Sequence, residues 1–175
     1  MCNEPEYVID SNTSSFVNKE ELILLHQLTP HPEGGYYKEM WRSSLRVQTP
    51  FGERSAGTAI YFLLETERFS AFHRLVSDEL WYFHHGSPAD IYIIHEDGRL
   101  EIVTIGSEYH QGQSLQLIVP AGAWFAAEVK EKGSYTFVSC SVSPGFEFTD
   151  FELSDKSKLS EAFPAHAELI ARLCR

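Results

Sequence analysis

The stretch "FHRLVSDELWYFHHG" runs from Phe72 to Gly86. A histidine, His73, opens it. Glu79 follows, and Gly86 closes it after a run of aromatic and branched residues. It has the make-up of half a metal site, but Leu75 stands where a second histidine would complete the pair. The run "LWYFHHG" reads as a strand, and alternate side chains of a strand share one face. Glu79, Trp81, Phe83 and His85 therefore fall on one side, and Leu80, Tyr82 and His84 on the other, unless a bulge intervenes.

The sequence around this stretch repeats its texture. "YYKEMWR", "SAGTAIYFLLE", "SAFHRLV", "ADIYIIHE", "RLEIVTI", "LQLIVP", "WFAAEV" and "YTFVSCSV" are short, aromatic and β-branched. Turn residues separate them: Asp97-Gly98, Gly106, Gly112, Gly122 and Gly133. Asp97-Gly98 between two apolar runs predicts a hairpin. About nine strands at this spacing predict a sandwich or barrel, not alternating βα units. Before them, "NKEELILLHQL" predicts a short helix capped by Asn18 with Glu21 three residues on, ended by Pro30 and Pro32. After "SPGFEFTDFE", Pro164 and "AHAELIARL" predict a helical tail. Residues 1–17 are polar and unpatterned and read as a flexible extension. Residues 18–175 read as a single domain.

The chain has 175 residues, 43% of them hydrophobic, and a net charge of -11. It is long enough for a real core. The acidic balance argues against nucleic acid and anionic membrane as partners, because both need a basic face. No apolar run approaches the ~20 residues of a membrane helix, and the N-terminus lacks the pattern of a secretory signal. Cys2, Cys140 and Cys174 are far apart and form no CxxC pair. A reducing cytoplasm is the expectation.

The opening stretch resembles the first motif of the cupin superfamily, in which two histidines flank one residue and a glutamate and a glycine follow. His73, Glu79 and Gly86 match, and Leu75 takes the place of the second histidine. The second cupin motif has a glycine, a Pro-x-Gly turn and a histidine. Here it reads Gly112, Pro120-Ala121-Gly122, and then Phe125 at the histidine position. Further blocks in order, "LTPHPEGGYYKEMWRS", "TAIYFLLE", "VPAGAWFAAE" and "SPGFEFTDFEL", narrow the resemblance to the uncharacterised cupin-5 branch. Tyr82 stands where that branch commonly has histidine, and Phe125 where glutamine is common. The resemblance implies a mainly β fold: a double-stranded β-helix, or jelly-roll barrel, with a short N-terminal helix and a helical C-terminal tail.

A cupin metal is typically held by three histidines and the glutamate. Leu75 and Phe125 have no lone pair to donate, so no cofactor is expected. If a weakly held divalent metal is present, His73 and Glu79 would hold it. The alternative is metal-free proton transfer. Metal-free cupin isomerases and epimerases pair a histidine base with a tyrosine acid. On that pattern His73 is the base, Glu79 its orienting partner, and Tyr82 or Tyr92 the acid. His73 and Glu79 also admit a plain reading as a buried, hydrogen-bonded pair. In "PHPEGGYYKE", Glu33 and Tyr36 or Tyr37 either reach a ligand or only satisfy the turn that Gly34-Gly35 permits. Trp124 and Phe125 either stack on a ligand or belong to the core. Cys140 reads as a buried, inert thiol.

These residues predict a small-molecule-binding cupin acting on a sugar-like or other small polar metabolite, as a metal-independent isomerase or epimerase. A metal-dependent oxygenase or isomerase with a reduced ligand set, and a non-catalytic sensor or storage module, are the other readings. "SAGTAIYFLLE" is apolar on both faces, which predicts a homodimer covering the outer one.

Overall fold

The computed structural model describes residues 18–175. The extension predicted over residues 1–17 lies outside the described residues. Asn18 caps helix α1 (Lys19–His26): its side chain accepts from the Glu21 amide at 2.8 Å, and the Glu21 carboxylate accepts from the Asn18 amide at 3.1 Å. The helix stops at Gln27, whose φ of 53° is left-handed. Its end is made by this cap, ahead of the prolines expected to end it.

The strands follow in order: β1 (Thr29–Pro30), β2 (Tyr36–Arg42), β3 (Arg46–Thr49), β4 (Gly52–Ser55), β5 (Thr58–Glu65), β6 (Ser70–Leu75), β7 (Asp78–Gly86), β8 (Ala89–Ile94), β9 (Leu100–Ile105), β10 (Gln116–Val119), β11 (Trp124–Val129), β12 (Tyr135–Ser143) and β13 (Phe151–Leu153). Helices α2 (Lys156–Ala162) and α3 (Ala167–Leu173) complete the chain, with Pro164 opening the short turn between them. Every predicted strand is present. The β3–β4 ribbon carries no apolar alternation, and β1 and β13 are too short for a period to show. Asp97-Gly98 turns the β8–β9 hairpin, where His95 donates its amide to the Arg99 carbonyl at 3.0 Å.

A six-stranded sheet, β1-β2-β5-β12-β7-β10, faces a five-stranded sheet, β13-β6-β11-β8-β9. Between them lies a core that includes Phe62, Trp81, Ile91, Ile93, Phe125 and Val138. This is the jelly roll the resemblance implies. Helices α2 and α3 cover the outer face of the smaller sheet, with Leu159, Ile170 and Leu173 packed on Phe72, Tyr92 and Ile94. Leu22 of helix α1, and Leu28 just after it, pack against Leu63 and Phe137 on the outer face of the larger sheet. That corrects the argument from β5: Leu63 is fully buried by the chain's own helix. Its two apolar faces do not by themselves call for a second subunit.

Candidate functional site

Between the two sheets lies a cavity of about 140 Å³. Strands β2, β5 and β12 and the segment 146–151 supply most of its wall. The pairing of β13 with β6, where Leu153 lies opposite His73, draws that segment across the cavity. Most of the wall is apolar, including Ile60, Phe62, Leu75, Val142, Phe148 and Phe151. Its deeper polar groups are His31, Glu33, Thr58, His73, Glu79 and Cys140, with Tyr37, Glu39, Arg42 and Glu147 completing the polar lining.

Glu33 arrives on a loop. Gly34 and Gly35 have φ of 124° and 67°, and a Cβ on Gly34 would sit 2.1 Å from the Phe69 carbonyl oxygen. Only glycine allows this approach. The loop is fastened by the Ala71 amide, which donates to the Glu33 carbonyl at 2.9 Å. The Glu33 side chain thereby turns inward. Ser70 Oγ donates to its Oε1 at 2.8 Å, and its Oε2 lies 3.1 Å from His73 Nε2 and 3.3 Å from His31 Nδ1.

The hydrogen bonds fix the ring states. His73 Nδ1 is 2.7 Å from the Ala71 carbonyl, which only accepts, so Nδ1 carries the proton. In the neutral ring Nε2 is then a lone pair, and Glu33 must hold the proton that joins them. Burial favours that state on both sides. It pulls His73 down to about 4, against the pull of the Ala71 hydrogen bond, and it pushes Glu33 up, against His31 and Ser70. His31 is also held below its ordinary value by burial.

Glu79 faces the same cavity from β7, on the opposite sheet. Burial, and then the nearby acidic Glu33, with which a second negative charge would be unfavourable, push it up to about 8, with Cys140 and Trp81 opposing as polar neighbours. At neutral pH it is mostly a carboxylic acid. The cavity thus holds a proton donor on one wall and a proton-sharing pair on the other.

The remaining predicted residues separate by face. Phe125 lies behind His73, ring centroids 4.0 Å apart, and is core. Tyr82 points out of the larger sheet to Ser141 Oγ at 3.3 Å. Tyr92 points out of the smaller sheet, donates to Glu128 at 2.6 Å and lies under Arg172. Trp124 is on that same outer face under Arg74, and Tyr36 packs beside α1. None of these four lines the cavity, so the acid expected from Tyr82 or Tyr92 is supplied by neither in this geometry. The partner of His73 is Glu33 in place of Glu79. A bulge in β7 sets His85 opposite Phe137 and Phe83 opposite Val138. His84 and His85 then take separate partners, Ser139 and Tyr135.

The sequence reading missed His31 as a cavity group and also the mouth. There Arg42 binds Glu39 and Glu147, and Phe146 and Phe148 close the wall. The signal available was alternation through "FEFTDF", which puts Phe146 and Phe148 on one side.

A metal of the kind cupins hold does not fit these residues. Leu75 and Phe125 are carbon at two of the ligand positions. Among the described residues no three of His, Cys, Asp and Glu are placed to hold an ion.

The model of the cupin superfamily family Cupin_5 (DUF985) matches residues 20–154. The chain belongs to this family. It is 29% identical to the uncharacterized protein YML079W of Saccharomyces cerevisiae, covering 75% of this chain and 72% of that one. A hypothetical protein from Leishmania major superposes with a TM-score of 0.85 at 38% identity, over 90% of this chain and 98% of that chain. Protein SO0799 from Shewanella oneidensis does so with 0.84 at 37%, over the same shares. Oxalate decarboxylase from Bacillus subtilis, at 19% identity and a TM-score of 0.52, shares the fold. This cupin covers 82% of its own length in that match and 36% of the decarboxylase.

Proposed function

We propose that the cavity binds a small polar metabolite, sugar-like or of similar size, and moves a proton on it without a metal, as an isomerase or epimerase does. The observation that carries this is the placement of Glu79 on one sheet and the Glu33–His73 pair facing it across the cavity. One side takes a proton from the substrate and the other returns one, which inverts a centre or shifts a double bond. The apolar wall keeps both sides uncharged at rest, so that Glu79 carries a proton to give and His73 is an unprotonated ring.

The test uses protein stripped of metal by chelation. It is incubated in D₂O with a panel of small hydroxy-ketones, lactones and sugars, and proton NMR follows exchange at carbon. Exchange that is lost in both Glu79→Gln and His73→Gln supports the proposal. Exchange that appears only when iron, manganese or zinc is restored overturns it in favour of metal chemistry. Binding without exchange across the panel overturns it in favour of a sensor.

We further propose that residues 18–175 act as one domain and that the chain pairs as a homodimer in the cytoplasm. Ile118 is exposed on the outer face of the larger sheet, beside Leu80 and Tyr82, which are half-buried. A two-fold partner would cover them. Cys140 and Cys174 are free thiols, as a reducing compartment allows. No helix among the described residues is long and apolar enough to cross a membrane. Light scattering that returns the 19.9 kDa mass of one chain would remove the dimer.

A further inference from the structure

We propose that the ligand of this cavity carries a protonated amino group, held by Glu79 and by the phenylalanine rings of the wall. The inference rests on the cavity being a binding site and names the class of molecule that it takes.

The ionisable groups around the cavity are mostly acidic. Glu33, Glu39, Glu79 and Glu147 line it, and Arg42 is the one lysine or arginine among its described lining residues. Arg42 is already engaged. Its Nε and Nη2 donate to Glu39 at 3.0 and 2.8 Å, its Nη1 to Glu147 at 2.7 Å, and its Nη2 also to the Phe146 carbonyl at 3.0 Å. His31 and His73 are held neutral by burial. An incoming carboxylate or phosphate would meet carboxyl groups in a low-dielectric space with no free cation to receive it.

Glu79 is the group left over. It is 7% exposed, and none of the cavity's ion pairs includes it. Its polar neighbours are the Cys140 thiol and Trp81, whose buried Nε1 has no hydrogen-bond partner of normal geometry. An alcohol would give this carboxyl a hydrogen bond. An ammonium would favour the ionised form of Glu79, displacing the proton it otherwise holds at neutral pH, and give it a charge-assisted hydrogen bond. The wall suits the same guest, because aromatic rings attract cations and Phe62, Phe146, Phe148 and Phe151 all face the space. Glu39 and Glu147 at the mouth would favour the entry of a cation.

Three probes of one shape test the charge alone: cyclopentylamine, cyclopentanol and cyclopentanecarboxylate, titrated at pH 7 into ¹⁵N-labelled protein. The indole N–H signal of Trp81, assigned with Trp81→Phe, reports occupancy beneath Glu79. The ammonium is expected to bind at least about tenfold more tightly than the alcohol, and the carboxylate more weakly than both. Glu79→Gln is expected to erase the preference for the ammonium, so that it binds no more tightly than the alcohol. An alcohol or carboxylate that binds as tightly as the ammonium overturns the inference and leaves the cavity as a binding site. A preference that survives Glu79→Gln overturns the role of Glu79. If no probe moves the Trp81 signal, the binding reading falls with it.

Discussion

His73 Nε2 and Glu33 Oε2 are 3.1 Å apart, and with Nδ1 committed to the Ala71 carbonyl a single proton must serve both atoms. Glu33→Gln keeps the shape and the hydrogen bond, since an amide N–H can donate to Nε2, but it cannot give the proton up. The expected result is a fall in turnover of about 10²-fold or more with stability within ~1 kcal/mol of wild type. Glu33→Ala strands His73 Nε2 in the core and should cost about 1–3 kcal/mol in urea unfolding. A Glu33→Gln protein with full turnover would remove Glu33 from the chemistry.

Stability should depend on pH through the same cavity. Glu79 titrates at about 8 when folded against 4.5 as its ordinary value, so from 4.5 to 8 the folded chain holds a proton that the unfolded chain has lost. That lowers stability as pH rises, by up to ~1.4 kcal/mol per pH unit. His73, at about 4 against 6.5, acts in the opposite sense from 4 to 6.5. The two oppose each other up to pH 6.5, and from there to about 8 the Glu79 effect is no longer opposed by His73, while Glu33, also raised by burial, acts in the same sense as Glu79. Urea unfolding should show wild type losing stability between pH 6.5 and 8, and Glu79→Gln losing less. Equal slopes for the two proteins would contradict the assignment.

Gly34→Ala should damage fold and site together. Its Cβ would meet the Phe69 carbonyl oxygen at 2.1 Å, in a left-handed conformation that alanine resists. A loss of about 2 kcal/mol or more is expected. Because the loop must lift from β6, His73 should lose its partner as well, visible as a shift of its imidazole signals in NMR. An unchanged melting temperature would show that the loop yields freely.

Metal should be absent from the wild-type protein at stoichiometric level and recoverable by design. Leu75→His with Phe125→His restores the superfamily's ligand positions beside His73 and Glu79. The double variant should be less stable than wild type when metal-free, since Phe125 is fully buried. It should gain thermal stability when iron, manganese or zinc is added. Elemental analysis that finds about one tightly held metal per wild-type chain would reverse this expectation.

Local signals in the sequence carried most of the fold. The Asn18–Glu21 capping box, the Asp97-Gly98 turn and the β-branched runs each act over a few residues, and each is present as read. The site was legible only in part. His73 and Glu79 followed from motif spacing and do reach the cavity. Glu33 stayed between two readings, because no periodicity says where a loop side chain will point. Tyr92, Trp124 and Tyr36 were placed by type, and alternation tells which residues share a face but not which face is inside. For Tyr82 it did tell: alternation had already set it opposite Glu79, and the fold agrees. Alternation also called Ala59 to Leu64 doubly apolar, and the distant α1 segment answered for Leu63.

The glycine pair at 34 and 35 divides the labour in this protein. The strands provide the chassis, while one of the two buried acidic groups in the cavity rides on a short detachable bracket, residues 31–35, seated on that chassis by backbone contacts. A bracket of this kind can be exchanged without rebuilding the barrel. Transplanting "HPEGG" between members of the family should move the proton-handling carboxyl with it. Variation in the cavity's chemistry would then have an address outside the strand motifs by which the family is recognised.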